Sequence, residues 1–171
     1  MAEENGAAET QQGGKATGPQ FAVERIYLKD LSYEAPLGVE AFTKKWSPKV
    51  NQDVNTKVRK VGDNRYEVVL TVTASVKDGD TTIYLIEVQQ AGLFFINGLS
   101  DQQLPQALNS NCPALLFPYV REAIDSIALK GGFPALNLPP LNFDALFVHA
   151  VQQAKANAEA KAEEETQPSV N

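Results

Sequence analysis

Residues that could carry out catalysis or hold a metal ion are few in this sequence. It contains one histidine, His149, and one cysteine, Cys112. A structural zinc site needs about four Cys or His ligands and a disulfide needs two cysteines, so neither can form within one chain. His149 lies in a helical pattern beside glutamines, which is typical of a solvated helix residue. Cys112 precedes a proline and has no second histidine-like base in view, which favours a packing role over a nucleophile.

The carboxylates and glycines show no catalytic or nucleotide-binding pattern. Asp63, Asp78 and Asp80 lie in turn sequences, where backbone hydrogen bonding favours aspartate. The pairs Ala91-Gly92 and Gly131-Gly132 match neither common phosphate-binding fingerprint. The sequence therefore predicts a protein that is not an enzyme, has no catalytic or metal-binding residues, takes no cofactor and uses no ATP itself.

Composition and charge narrow the class of partner. The chain has 171 residues, of which 43% are hydrophobic and 21% charged, as expected for one globular domain. Its net charge of −6 predicts no general attraction for nucleic acid or an anionic lipid surface, and the sequence shows no cluster of Lys and Arg. The sequence contains no run of about 18 apolar residues, so we predict no membrane span. The polar N-terminus lacks a signal-peptide pattern, so we expect a cytoplasmic protein without direct membrane insertion.

The two ends of the chain differ from its middle. Residues 1–20 and 151–171 are polar, and each segment carries a net charge of −2. Such composition cannot bury enough apolar surface to order itself. We predict a disordered acidic N-terminal tail over 1–20, a folded domain over 21–150, and a helix end fraying into an acidic tail over 151–171. The tails either aid solubility or dock on a basic partner surface.

The first half of the domain has strand patterns. Four segments alternate in polarity or are rich in β-branched residues: 21–34, 50–61, 65–77 and 81–90. Turn sequences at 62–64 and 78–80 make the last three consecutive antiparallel strands. The connection over 37–49 is too long for a hairpin, so the first strand can pair out of sequence order.

The strand over 81–90 is apolar on both of its sides. Ile83 and Leu85 share one parity, and Tyr84, Ile86 and Val88 share the other. A sheet with two apolar faces needs two covers. We expect the helices to supply one cover and a second subunit to supply the other.

The second half has helical patterns. A short helix is predicted around 101–110, broken at Cys112-Pro113, and a longer helix over 114–130 ends at Gly131-Gly132. After the Pro-rich segment 133–142, Asn142 is expected to cap a helix that runs into the tail. The predicted class is α+β: a four-stranded antiparallel sheet with a crossover loop, packed with two helices.

Large apolar side chains also occur in the irregular segments. Phe42 and Trp46 lie in the crossover connection, and Phe133, Leu136, Leu138 and Leu141 lie in the Pro-rich segment. These side chains either cover the core or line a groove that takes an extended apolar peptide beside a free sheet edge.

Six strings along the chain resemble the SecB family of protein-export chaperones. They follow the family's order and span almost all of residues 21–150: RIYLKDLSYEAP (25–36), Trp46-x-Pro48, YEVVLTVT (66–73), EVQQAGLF (87–94), CPALLFPYVRE (112–122) and FPALNLPPLNFDALF (133–147). The resemblance implies a homotetramer, built as a dimer of dimers with helices sandwiched between the sheets.

The resemblance also implies the function. It predicts an ATP-independent holdase that binds unfolded preproteins, keeps them translocation-competent and delivers them to the SecA translocation ATPase. The alternative is a SecB-like holdase for a client outside export, such as an unstable antitoxin.

Site residues are carried over at matching motifs. Those expected to dock SecA are Asp30, Glu34, Leu85 and Glu87. Those expected to line the peptide groove are Phe42, Trp46, Phe143 and Phe147. Those expected to influence tetramer assembly are Ile86, Val88 and Gln90.

Overall fold

The computed structural model describes residues 18–166, and the side chains of residues 18–158. Most of the predicted tail over 1–20 and the last residues of the C-terminal tail lie outside this range. The strands are β1 (Gln20–Glu34), β2 (Lys49–Gly62), β3 (Arg65–Asp78) and β4 (Thr81–Asn97). The helices are α1 (Gln103–Gln106), α2 (Cys112–Lys130) and α3 (Phe143–Thr166).

The four strands form one antiparallel sheet in the order β1-β4-β3-β2. Strands β2, β3 and β4 are joined by the two predicted turns. The connection from Glu34 to Lys49 carries the chain from one edge of the sheet to the other, through a 3-10 helix over Gly38–Phe42. The predicted α+β class and the out-of-order first strand are confirmed.

One face of the sheet is covered by α2, which packs on β3 and β4. Leu70, Val72, Ile86 and Val88 on the strands are fully buried, as are four apolar side chains of α2 spaced along one side of the helix: Leu116, Val120, Ile124 and Ala128. This spacing of four residues is the apolar stripe that a helix presents to a sheet.

The opposite face, called the open face below, is mostly polar. The pairing of Ser75 with Leu85 and of Thr73 with Glu87 puts hydroxyl and carboxylate side chains there. Ile83 does not belong to this face, because the register shifts between Val76 and Lys77. The expectation of two apolar sheet faces is therefore wrong: the bulge breaks the parity on which it relied.

Strand β4 continues seven residues beyond its predicted end at Gln90 and passes through Gly92. A Cβ at Gly92 would lie 2.8 Å from Cζ of Phe94 and 3.1 Å from Cδ2 of Leu116. The glycine therefore does not end the strand. It leaves room for the Phe94 ring, which lies over it on the same strand, and for Leu116 of α2.

The predicted break at Cys112-Pro113 is also wrong, because α1 and α2 are joined by a π-helical turn over Ala107–Asn111. The amide of Cys112 donates to the carbonyl of Ala107, five residues earlier. Pro113, which has no backbone N–H, follows this change of register at the start of α2. An N–H there would have no partner within the helix, so the proline costs little helix stability.

The ends of the helices follow the predicted capping residues. Helix α2 ends before Gly131-Gly132, and Gly132 has a φ of 84°. At the start of α3 the side chain of Asn142 accepts the amide of Ala145 at 3.0 Å. These caps fix where the Pro-rich segment begins and ends.

Candidate functional site

The first candidate surface, called the crossover groove, lies where the crossover connection meets the segment after α2. The Phe133 ring stacks on Tyr84 with a centroid distance of 4.3 Å and on Phe42 at 5.1 Å. Trp46 lines the same groove, and its indole N–H donates to the Ala41 carbonyl at 2.8 Å. The groove has a volume of about 420 Å³. It offers aromatic faces to an apolar side chain.

The aromatic groups of the crossover groove differ in exposure. Phe42 is 58% exposed, whereas Tyr84 is 2% exposed. Burial raises the pKa of the Tyr84 hydroxyl to about 12, so it stays protonated at neutral pH. Phe42 is therefore the group of this pair that an incoming chain can reach, and Tyr84 supports the floor.

The second candidate surface, called the edge groove, lies between strand β2 and helix α3. It is lined by residues 54–56 of β2 and by an apolar stripe of α3 formed by Phe143, Leu146, Phe147, Ala150 and Val151. Its volume is about 440 Å³. Strand β2 is an outer strand of the sheet, so one side of its backbone has no neighbouring strand among the described residues. Unpaired amides and carbonyls beside an apolar stripe suit an extended peptide.

The first turn of α3 is held to the π-helical turn. Ser110 donates to the carboxylate of Asp144 at 2.6 Å, and Gln106 donates at 3.4 Å. These hydrogen bonds lower the pKa of Asp144. Phe143 packs edge-on to Phe117 with a centroid distance of 5.6 Å and is 5% exposed. One wall of the edge groove is thereby tied to the core.

The four residues predicted to line one peptide groove are thus divided between two grooves. Phe42 and Trp46 lie in the crossover groove, whereas Phe143 and Phe147 lie in the edge groove. Tyr84 and Val54 were missed as groove residues, because their strand patterns indicate buried core and nothing else.

The residues predicted to dock SecA share the open face. Glu34 on β1 pairs with Leu85 on β4, and Ser32 pairs with Glu87. Paired residues lie on the same face of a sheet, and so do alternate residues of one strand, so these side chains share one face. Asp30 and Glu34 are exposed. The Glu87 carboxylate accepts a hydrogen bond from Thr73 at 3.1 Å. Sequence reasoning missed one carboxylate of this surface: Asp53 on β2 pairs with Thr73, in the row of Glu87.

Ile86, Val88 and Gln90 lie on the helix-covered face. They are 0–5% exposed within the single chain, under α2. An effect of these residues on assembly would act through the position of the helix, since their side chains are not accessible.

Large apolar side chains that remain exposed include Leu115 and Tyr119 on α2 and Phe21 and Val23 on the outer strand β1.

The open face also carries a polar cluster around Glu67. Its carboxylate accepts hydrogen bonds from Tyr27, from Lys29 at 2.9 Å and from Arg59 at 3.1 Å. The hydrogen bond from Tyr27 contributes most to lowering the pKa of Glu67 to about 2, followed by that from Lys29. Glu67 is therefore ionised at neutral pH.

The described part of the chain contains no group of three or more His, Cys, Asp or Glu side chains placed to hold a metal ion. Cys112 is buried, and this raises the pKa of its thiol to about 12, so it is not a thiolate at neutral pH. Within residues 18–166, no helix combines the length and apolar character needed to cross a membrane.

Comparison with known proteins extends the sequence resemblance. A family model described as "Preprotein translocase subunit SecB" matches residues 14–154. The chain is 51% identical over 167 residues to the protein-export protein SecB of Cellvibrio japonicus (strain Ueda107), covering 97% of this chain and 99% of that protein. It is 56% identical over 146 residues to that of Hahella chejuensis (strain KCTC 2396), covering 85% and 92%.

Among solved structures, the SecB-like chaperone of Mycobacterium tuberculosis in complex with a ChAD peptide from the HigA1 antitoxin has a similar fold. The TM-score is 0.57 at 14% sequence identity, over 71% of this chain and 90% of that one. The likeness is one of fold.

Proposed function

The chain belongs to the SecB family of protein-export chaperones, and on that premise we propose that it is an ATP-independent holdase for unfolded preproteins. It captures extended apolar segments in the cytosol before they fold, keeps them competent for translocation and passes them to the SecA ATPase. The observation that carries this proposal is the pair of open apolar grooves, one of them beside an outer strand.

The grooves suit a client of undefined sequence. The edge groove presents the backbone of β2 on one side and the apolar stripe of α3 on the other. Backbone hydrogen bonds are available to any extended chain, and an apolar stripe accepts many side chains. Occupying the edge groove and the crossover groove with one long client would add many weak contacts, which increases avidity without demanding a particular sequence.

Delivery to SecA is proposed for the acidic end of the open face. Asp30, Glu34 and Glu87 lie there with Leu85 between the charges. A basic partner segment with an apolar residue fits this arrangement. The acidic end lies on the opposite side of the sheet from α2, so a partner bound there does not contact the helix-covered face.

Assembly as a dimer of dimers is proposed through the exposed apolar side chains outside the grooves. Leu115 and Tyr119 project from α2, and their exposed fractions are 43% and 50%. A second copy packed on α2 would cover this apolar pair.

The proposal is tested by native mass spectrometry of the purified protein, alone and with a urea-unfolded precursor, without nucleotide. We expect a species of about 74 kDa, four times the chain mass of 18.6 kDa, that gains one precursor. A monomer that ignores the unfolded chain would contradict both assembly and client capture.

Variants then separate the two binding surfaces. Leu146→Ser and Phe42→Ser should weaken precursor capture, whereas Val148→Ser, at an exposed valine of α3 outside the edge groove, serves as the control. Asp30→Ala with Glu87→Ala should abolish SecA binding while capture persists, with the exposed pair Glu40→Ala and Asp101→Ala as the control. Normal SecA binding by the first pair would overturn the docking assignment.

A client outside export is the second candidate. The fold neighbour described above is bound to an antitoxin peptide, and its fold is shared by this chain. Capture of an unstable antitoxin together with failure to bind SecA would favour this function over export.

A further inference from the structure

Four cationic side chains meet at one end of the open face, although the sequence shows no single cluster of them. Arg25 and Lys29 belong to β1, whereas Lys57 and Arg59 belong to β2, at the opposite edge of the sheet. The register aligns two neighbouring rows across the sheet: Arg25–Leu93–Glu67–Arg59 and Tyr27–Ala91–Val69–Lys57. We call these four cations and the surface between them the basic end.

The basic end has more positive charge than its own carboxylate can neutralise. The two rows hold three cations and one carboxylate, Glu67, and Lys29 in the adjoining bulge of β1 adds a fourth cation. The four cations and Glu67 together carry a net charge of +3. Lys29 and Arg59 already contact Glu67. Within residues 18–158, Arg25 and Lys57 form no ion pair, and the neighbouring Glu24 is held by Arg65 at 3.0 Å.

This local charge stands out because the whole chain has a net charge of −6. The Arg59 side chain is 71% exposed and that of Lys29 is 40% exposed. The open face is therefore divided along the strands. One end carries Asp30, Glu34, Asp53 and Glu87, and the other is the basic end.

The shape of the basic end suits an elongated ligand. Two grooves adjoin there, with volumes of about 590 and 240 Å³, and both are lined by Arg59 and Glu67. Val69 lies in the larger groove and Leu93 in the smaller. A ligand across both grooves would meet cations at the rim and apolar side chains at the floor.

The spacing of the cations indicates which kind of ligand they could bind. Lys57 and Arg59 are two residues apart on one strand, which places their Cα atoms about 6.7 Å apart on the same face. Carboxylates at alternate positions of an extended peptide have the same repeat. We propose that the basic end binds an extended acidic segment of a partner polypeptide, whose alternate carboxylates face Lys57 and Arg59.

This surface is separate from both apolar grooves and from the acidic end, so the inference does not rest on client capture or on SecA docking. Fluorescence anisotropy of a labelled peptide of six Thr-Glu repeats tests it with the full chain at low salt. We expect saturable binding that weakens as ionic strength rises. A peptide of six Thr-Gln repeats should not bind, and a peptide of the same composition with its glutamates in one block should bind more weakly.

Two variants assign the binding to the basic end. Lys57→Gln should weaken it about threefold, and Lys57→Gln with Arg59→Gln about tenfold, because each exposed ion pair contributes up to about 1 kcal/mol. Lys130→Gln with Lys155→Gln removes equal charge from exposed helix positions and should change nothing. Lys57 makes no ion pair among the described residues, so its substitution leaves the Glu67 cluster intact even if the double variant is less stable.

Unchanged peptide affinity in Lys57→Gln and in the double variant would overturn the proposal. Equal affinity for the block and alternating peptides would overturn the part that concerns spacing. A single-stranded oligonucleotide or an anionic phosphatidylserine vesicle that binds more tightly than the peptide, and is lost in the same variants, would overturn the polypeptide partner in favour of another polyanion.

Discussion

The hydroxyl of Tyr27 on β1 donates a hydrogen bond to the carboxylate of Glu67 on β3, although strand β4 lies between them. Ala91, which pairs with Tyr27 on β4, carries only a methyl group and leaves room for the phenol to cross. Arg59 reaches the same carboxylate from β2. One carboxylate therefore links the outer strands through the open face.

The Glu67 cluster stabilises the sheet. Glu67→Gln should lower the free energy of unfolding at pH 7 by about 1–2 kcal/mol, since a buried charged acceptor of three hydrogen bonds is lost, although two of its donors, Lys29 and Arg59, are solvent-exposed. The measurement is urea unfolding followed by circular dichroism. Glu40→Gln, which removes an exposed carboxylate paired with Lys44, should change stability by less than about 0.5 kcal/mol.

The pH dependence of that difference follows from the pKa of Glu67. The folded pKa of about 2 lies below the ordinary value of 4.5, so the stabilisation is present above about pH 4.5 and is lost as the pH falls through 2. The stability gap between the wild type and Glu67→Gln should therefore shrink between pH 4.5 and 2. A gap that stays constant over this range would contradict the assigned pKa shift.

Gly92 is required because the Phe94 ring and Leu116 of α2 occupy the space that a side chain there would need. Gly92→Ala should destabilise the protein by about 1–3 kcal/mol, because the new methyl group meets the Phe94 ring and the Leu116 side chain. Gly62→Ala is the matched control at the end of β2, where the added Cβ meets only Cβ of Arg65 at 3.8 Å. Thermal unfolding of the two variants distinguishes a steric requirement from a general effect of glycine in a strand.

Two neighbouring residues of the edge groove should behave differently. Phe143 is 5% exposed and packs on Phe117, so Phe143→Ala should cost about 3–4 kcal/mol of folding stability. Leu146 is 46% exposed, so Leu146→Ala should cost less than about 1 kcal/mol. Chemical denaturation measures both; equal losses would show that α3 packs more closely along its length than the structure indicates.

The thiol of Cys112 should be unreactive in the folded protein. Its pKa of about 12 leaves almost no thiolate at pH 8, and the side chain is buried. We expect iodoacetamide to modify it only when urea unfolds the chain, as followed by intact mass. Rapid modification without urea would indicate local opening of the π-helical turn, which precedes Cys112.

Sequence patterns located the elements well where local physics decides them. The Asn142 cap and the Gly131-Gly132 stop depend on a few neighbouring atoms, and both are found in the structure. The prediction ended the last strand at Gln90 and broke the helix at Cys112-Pro113, and both were wrong. At Gly92 the missing side chain leaves room for the Phe94 ring of the same strand and for Leu116 of a helix distant in sequence, and no local pattern reveals the second of these contacts.

By itself, the sequence determined the α+β class and the scarcity of chemically reactive residues, because these depend on residue types and on the two-residue period of strands. The family resemblance, and not composition or period, supplied the acidic residues assigned to one surface. Only the tertiary structure decided that Phe42 and Phe143 line different grooves. It also decided that Arg25 and Arg59 share one row of the sheet. The physical reason is the strand order β1-β4-β3-β2: register across non-consecutive strands brings together side chains whose separation along the chain carries no signal.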